Sequence, residues 1–128
     1  MMHNNPVGWF EIYVKDMNRT KAFYEAVLGV RLEKLPDPGP GVAEMMTFPM
    51  TKGATGATGA LVRMEKGGPS SGNGVIVYFS CEDCATESKR AVANGGSVMK
   101  DKFSIGQYGF ISLINDTEGN MIGLHSMK

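Results

Sequence analysis

The chain has 128 residues, of which 42% are hydrophobic and 20% charged, and its thirteen basic and thirteen acidic residues cancel. This length fits one globular domain with one core, and the balanced charge argues against a nucleic-acid or anionic-membrane partner. No apolar run approaches the roughly 20 residues of a membrane span, and the first residues do not resemble a secretion signal. Two cysteines cannot form a disulfide framework. We therefore expect a cytoplasmic location.

The first predicted elements are a strand and a helix. Residues 9–14 are rich in aromatic and β-branched side chains, which favour a strand. Asp16 or Asn18 can accept hydrogen bonds from the first turn of a helix over 19–28. The apolar residues of this helix form one stripe at helical spacing: Phe23, Ala26 and Val27. Gly29 then supplies the left-handed residue that ends the helix.

Three strands are predicted next, at residues 30–35, 43–50 and 59–64. Residues 36–41 are rich in proline and glycine and predict an exposed loop. The glycine-rich residues 53–59 predict a mobile flap, and residues 65–73 consist almost wholly of turn formers, which predicts a linker.

After the linker the same pattern begins again. A strand is predicted over 75–80, and Asp83 can cap a helix over 86–94 that Gly95 and Gly96 end. The residues of this helix expected to face inward are Ser88, Ala91 and Val92. Further strands are predicted over 97–99, 109–114 and 121–126, with a second flap over 102–109 and a hairpin turn over 115–120.

The two halves match at a period of 67 residues. Asp16 lies seven positions after Trp9, as Asp83 does after Ile76. Gly29 lies thirteen positions after Asp16, as Gly96 does after Asp83. An internal repeat indicates two similar units that share one core. The sequence therefore predicts an α+β fold of two βαβββ repeats, 7–64 and 74–127, joined by the linker 65–73 in a single domain over 7–127.

Three segments carry a resemblance to a known family. Trp9-Phe10-Glu11-Ile12-Tyr13-Val14-Lys15-Asp16, Phe23-Tyr24-Glu25-Ala26-Val27-Leu28-Gly29 and the closing Asn115-Asp116-Thr117-Glu118-Gly119-Asn120-Met121-Ile122-Gly123-Leu124 resemble the vicinal oxygen chelate superfamily, which contains glyoxalases, bleomycin-resistance proteins and ring-cleaving dioxygenases. The resemblance implies two βαβββ units whose sheets curl around a central cup, and a homodimer. In the enzymes of this superfamily the cup holds a divalent metal.

The positions that carry metal ligands in the enzymes have no donor side chain in this sequence. By resemblance these positions fall on Trp9, on Gly59 or Ala60, on Ile76 and on Gly123. Divalent metals need imidazole, carboxylate or thiolate ligands at such a site. The sequence therefore predicts no family-type metal site, no metal ligands and no cofactor.

Glu11 and His125 are the candidate catalytic residues. Strand periodicity places Trp9 with Glu11 on one face and Gly123 with His125 on one face. If both faces line the cup, a carboxylate beside the imidazole would raise its basicity and set its tautomer, as a general base requires. In the alternative, His125 is a surface residue and Glu11 pairs with a lysine.

The remaining candidate ligand-binding residues are aromatic or aliphatic and would line an apolar pocket: Trp9, Phe48, Ile76, Tyr78, Phe103 and Tyr108. Cys81 and Cys84 form a C-x-x-C sequence at a strand-to-helix junction. Two carboxylates lie between these thiols and oppose their ionisation, so a redox role is not favoured.

Two functions remain open at this point. The first is metal-independent binding of a small, partly apolar molecule in the cup. The second is a lyase or isomerase of the glyoxalase superfamily that uses Glu11 and His125 as acid and base groups.

Overall fold

The computed structural model describes residues 5–66 and 74–128. In chain order its helices and strands are β1 (Val7–Tyr13), α1 (Met17–Leu28), β2 (Glu33–Lys34), β3 (Val42–Thr47), β4 (Thr58–Met64), β5 (Val75–Ser80), α2 (Cys84–Ala93), β6 (Ser97–Ser104), a 3₁₀ turn (Gly106–Tyr108), β7 (Phe110–Asn115) and β8 (Met121–Ser126). Within the described residues the order βαβββ occurs twice, which confirms the predicted α+β fold class.

The chain divides into two compact units. Phe10–Val75 form the amino-terminal unit, and Ile76–Lys128 with the residues up to Trp9 form the carboxy-terminal unit. Most of the predicted linker 65–73 lies outside the described residues, so its role stays a prediction. No helix among the described residues is long and apolar enough to cross a membrane.

The amino-terminal unit contains strands in the order β2-β3-β4-β1, with α1 packed on one side. Asp16 caps α1 by accepting a hydrogen bond from the backbone N–H of Arg19 at 3.0 Å, and Gly29 ends it with a φ of 64°. The buried residues of the core are Met17, Leu32, Met46, Phe48 and Leu61. The predicted cap and helix end are therefore confirmed.

The apolar stripe of α1 does not face the core. The Phe23 and Val27 side chains are 58% and 61% exposed. The helix instead turns Met17 and Tyr24 toward the core, where the Tyr24 ring meets the Phe48 ring edge-on with 5.8 Å between centroids. Helical spacing defines an apolar stripe, but the strands packed against the helix decide which side is buried.

The strand predicted over 30–35 is shorter in the structure. Only Glu33 and Lys34 pair with β3. The backbone N–H of Leu32 instead donates to the carboxylate of Glu25 at 2.8 Å. Because this side chain satisfies the Leu32 donor, the strand does not extend back toward α1.

The carboxy-terminal unit contains strands in the order β5-β8-β7-β6. β5 and β8 run parallel, while the β8–β7 and β7–β6 pairs are antiparallel. One face of these strands packs against α2 through Cys84, Ile114 and Leu124. On the same side the hydroxyls of Ser88 and Ser112 form a buried hydrogen bond of 2.7 Å.

Two predictions for this unit need correction. Of the three residues of α2 expected to face inward, Ser88 is buried and Ala91 packs against the core, but Val92 is 54% exposed. The flap predicted from Lys102 is also wrong in its first part, because β6 continues to Ser104. The Lys102 ammonium donates to the Asp83 carboxylate at 2.9 Å, which ties this part of β6 to the start of α2.

Candidate functional site

The face of the carboxy-terminal unit opposite α2 brings several predicted site residues together, and we call it the distal face. Partners in neighbouring strands share a face of the sheet. Ser112 and Leu124 point to α2, so the residues next to them in β7 and β8 point away from it. The register then gives two rows on the distal face, first Tyr78, Gly123, Leu113 and Lys100, then Ser80, His125, Ile111 and Phe103.

His125 is held in one orientation by a backbone carbonyl. Its Nε2 atom lies 2.6 Å from the carbonyl oxygen of Tyr108, at the end of the 3₁₀ turn. A carbonyl oxygen only accepts hydrogen bonds, so Nε2 must carry the hydrogen. In the neutral ring Nδ1 is then the hydrogen-bond acceptor. The structure thus joins two predicted site residues, His125 and Tyr108, and leaves Nδ1 as the basic atom of the imidazole.

Gly123 allows the ring of Tyr78 to lie against the backbone of β8. A Cβ atom on residue 123 would come within 2.8 Å of Cγ of Tyr78 and still closer to its Cδ1 and Cε1 atoms. Ile76 and Tyr78 are 2% and 4% exposed, so they form the buried floor of the distal face. The partly exposed residues of this face are Phe103, Ile111, Leu113 and His125.

The metal positions implied by the resemblance do not fit a divalent ion. Ile76 and Gly123 offer no donor atom, and the Tyr78 ring fills the space beside Gly123. Gly59 lies so close to the backbone oxygen of Phe10 that a Cβ would collide with it. Within the described residues, no three His, Cys, Asp or Glu side chains group as metal ligands would. The donor set therefore provides no route for metal chemistry at these positions.

Glu11 lies in the amino-terminal unit, whereas His125 belongs to the carboxy-terminal one. Phe10 and Ile12 pack into the core beneath α1, so Glu11 and Tyr13 point to the opposite side of β1. There the Tyr13 hydroxyl donates a 2.5 Å hydrogen bond to the Glu11 carboxylate, which is 9% exposed. The expected approach of Glu11 to His125 stays a prediction.

The other predicted ligand contacts differ in their surroundings. Phe48 is 8% exposed and lies between the rings of Phe10 and Tyr24, with centroids at 5.4 and 5.8 Å. It serves the core beneath α1, so we leave it out of the proposed site. Trp9 and Tyr108 are half-buried.

The two cysteines are free thiols. Burial, followed by the nearby Glu87 carboxylate, raises the pKa of Cys81 to about 11. Cys84 is completely buried beneath β7 and β8. Because nucleophilic sulfur chemistry needs the thiolate, this arrangement supports a packing role.

Lys100 also lies on the distal face, although it is not among the predicted site residues. Its Nζ atom lies over the Phe103 ring, 4.0 Å from the centroid. Lys100 and Phe103 are three positions apart, and a regular strand would place them on opposite faces. The alternation of side chains along the sequence therefore could not predict that Lys100 and Phe103 share a face.

Comparison with known proteins shows the family. Residues 7–124 match the Glyoxalase/Bleomycin resistance protein/Dioxygenase superfamily, so the chain belongs to this superfamily. The resemblance inferred from the three sequence segments is confirmed.

Individual relatives agree with this assignment. The chain is 30% identical over 119 residues to "Putative glyoxylase CFP32" of Mycobacterium tuberculosis, covering 91% of this chain but only 44% of that protein. Methylmalonyl-CoA epimerase from Mycobacterium tuberculosis has the same fold, with a TM-score of 0.69, 16% identity and coverage of 100% and 93% of the two chains. A hypothetical protein from Bacillus halodurans has a TM-score of 0.69 at 14% identity, with coverage of 95% and 94%.

Proposed function

We propose that the protein binds a small, partly apolar molecule on the distal face without a family-type metal. The observation that carries this proposal is the Tyr78 ring against Gly123, which puts an aromatic group where the resemblance implies a metal-binding carboxylate. Around this floor stand Phe103 and Ile111, with the oriented imidazole of His125 as the polar group. Apolar walls with a few fixed polar groups are typical of small-molecule sites.

A lyase or isomerase reaction is the second candidate function. It is favoured by the Nε2–H tautomer of His125, since Nδ1 can then accept a proton from a bound molecule. Glu11 would supply the second acid or base group, and its carboxylate is oriented by the Tyr13 hydroxyl. The names of the relatives, a glyoxylase and an epimerase, agree with this class.

The first experiment tests whether binding occurs at the distal face. A panel of small aromatic and aliphatic metabolites is screened by ligand-induced change in melting temperature, with Phe103→Ser as the site variant. Val92→Ser is the matched control, because Val92 is an exposed residue of α2. We expect the stabilisation to shrink in the site variant alone. Equal stabilisation in both variants would place binding elsewhere and contradict the proposal.

The second experiment separates a binding protein from an enzyme. His125→Ala and Glu11→Gln are compared with Glu44→Gln, which removes a carboxylate that pairs with Arg63 at 3.7 Å in the amino-terminal unit. A binding protein turns over no ligand. Its ligand-induced stabilisation shrinks in His125→Ala, which removes the polar group of the site, and stays unchanged in Glu11→Gln and Glu44→Gln. An acid/base enzyme loses turnover in the first two and retains binding.

A homodimer is also proposed, supported by apolar side chains that α1 leaves exposed: Phe23, Val27 and Leu28. A second copy of the chain would remove them from water. Sedimentation at micromolar concentration should give the dimer mass, and Phe23→Ser should shift it toward the monomer. A wild-type protein that sediments only as a monomer refutes this assignment.

A further inference from the structure

We propose that the molecule bound on the distal face is a small organic anion whose charged group is received by Lys100. This inference rests on the proposed function and names the class of ligand. Its apolar body would lie on Phe103 and Ile111, and its far end would offer a hydrogen to Nδ1 of His125.

The position of Lys100 depends on two irregularities in β6. The strand pairs Lys100 with Leu113 and Phe103 with Ile111, and the register shifts on both sides of Lys100. These shifts offset the odd spacing of Lys100 and Phe103, so both side chains reach the distal face. The strand thereby adds a lysine to a face that otherwise carries aromatic and aliphatic side chains, the Ser80 hydroxyl and the His125 imidazole.

The charge of Lys100 is available to a ligand. Its ammonium group lies over the Phe103 ring, and within the described ranges 5–66 and 74–128 no carboxylate lies within 4.0 Å of it. The charge of Lys102 is not available in this way, because its ammonium group donates a hydrogen bond to Asp83 on the α2 side. An ammonium group has three N–H donors, and its contact with a ring face leaves some of these donors for a hydrogen bond to a ligand. A carboxylate, sulfonate or phosphate on the ligand can therefore pair with Lys100.

The spacing of the face sets the length of the ligand. Phe103, Ile111 and His125 occupy three successive strands of one row. Neighbouring strands lie roughly 5 Å apart, so about 10 Å separates the Phe103 end of the row from His125. Ile111 lies between them, which favours an apolar middle for the molecule. In the neutral ring Nδ1 of His125 is an acceptor, so it favours a hydroxyl, amine or acidic C–H at this end.

Two fluorescent probes test this assignment. Anilinonaphthalene sulfonate and phenylnaphthylamine share the same aromatic skeleton and one N–H, and only the first is an anion. Titration of wild-type protein should show the sulfonate binding about fivefold more tightly than the neutral probe, as a partly exposed ion pair allows. Lys100→Met should abolish this difference without weakening the neutral probe, whereas Lys100→Arg should retain it.

The controls distinguish failure of this inference from failure of the proposed function. Lys89→Met removes an exposed lysine of α2 and should leave the preference for the anion unchanged. Suppose that both probes bind wild-type protein and lose affinity in Phe103→Ser. If the anion then binds no more tightly than the neutral probe, or still binds more tightly in Lys100→Met, the role assigned to Lys100 is wrong but the binding site stands. If neither probe saturates, or if Phe103→Ser changes nothing, the proposed function is wrong as well.

Discussion

The close contact between Tyr78 and Gly123 gives the most direct test of the site. Gly123→Ala adds one methyl group, and its Cβ would lie 2.8 Å from Cγ of Tyr78 and nearer to two other ring carbons. Tyr78 is 4% exposed, so its ring has little room to move aside. Residue 123 does not have a positive φ, so the backbone itself accepts alanine.

The expected cost is that of an overpacked core. Such insertions destabilise by about 1–3 kcal/mol, while replacing a glycine reduces the entropy of the unfolded chain and returns about 0.5–1 kcal/mol. We therefore expect Gly123→Ala to lower the free energy of unfolding by roughly 1–2 kcal/mol. At a typical urea dependence this lowers the unfolding midpoint by about 0.5–1 M.

The assay is urea unfolding of four proteins in a double-mutant cycle: wild type, Gly123→Ala, Tyr78→Ala and the double variant. In the Tyr78→Ala background the added methyl group has space, so its cost should disappear. Gly8→Ala in β1 is the control, because its Cβ would meet the Ser80 side chain, whose hydroxyl can rotate away. A Gly123→Ala protein as stable as wild type, or equal costs in both backgrounds, would refute the reasoning.

Three further predictions concern stability and reactivity. Asp83→Ala should destabilise the protein through loss of the α2 cap. The Lys102 hydrogen bond holds the pKa of Asp83 low, so the stabilisation that Asp83 provides should be lost as the pH falls below 3.8 in acid unfolding. The raised pKa of Cys81, about 11, predicts slow iodoacetamide labelling at pH 8 and a labelling rate that rises steeply at higher pH. It also predicts that the wild type loses stability between pH 9 and pH 11, and that Cys81→Ala loses less. At a protein concentration low enough that the wild type is a monomer, Phe23→Ala should change the free energy of unfolding little. Tyr24→Ala should lower it by about 2 kcal/mol, because only Tyr24 packs against the core.

Each of these has a result that would contradict it. If Asp83→Ala unfolds in acid at the same pH as wild type, Asp83 does not stabilise the protein in the way proposed. Rapid Cys81 labelling at pH 8 would show an accessible thiolate. Equal costs at Phe23 and Tyr24 would mean that α1 buries both sides.

Local chemistry made much of the fold predictable from the sequence. Asp16 and Asp83 cap the two helices through hydrogen bonds to residues two or three positions away. Gly29 ends α1 because its left-handed conformation is open to glycine. At the last hairpin the Asp116 carboxylate accepts hydrogen bonds from the backbone of Glu118 at 2.8 Å and of Asn120 at 2.9 Å. All these interactions lie within a few residues, so the sequence window contains both partners.

The composition of the candidate site was partly predictable for the same reason. Alternation along β8 placed Gly123 and His125 on one face, and the register of β5 with β8 agrees with this. The absence of donor side chains at Ile76 and Gly123 is also a property of the sequence alone. These statements need only the period of a strand and the chemistry of single residues.

Tertiary structure decided what depends on partners far apart in the chain. The side of α1 that is buried follows from the strands it meets, so Phe23 faces water although it belongs to the apolar stripe of the helix. The shifted register of β6 brings Lys100 and Phe103 to one face, against simple alternation. The hydrogen bond from His125 reaches a carbonyl seventeen residues away. Since burial, register and long-range hydrogen bonds are settled by the packing of separate segments, no single stretch of sequence contains enough information to predict them.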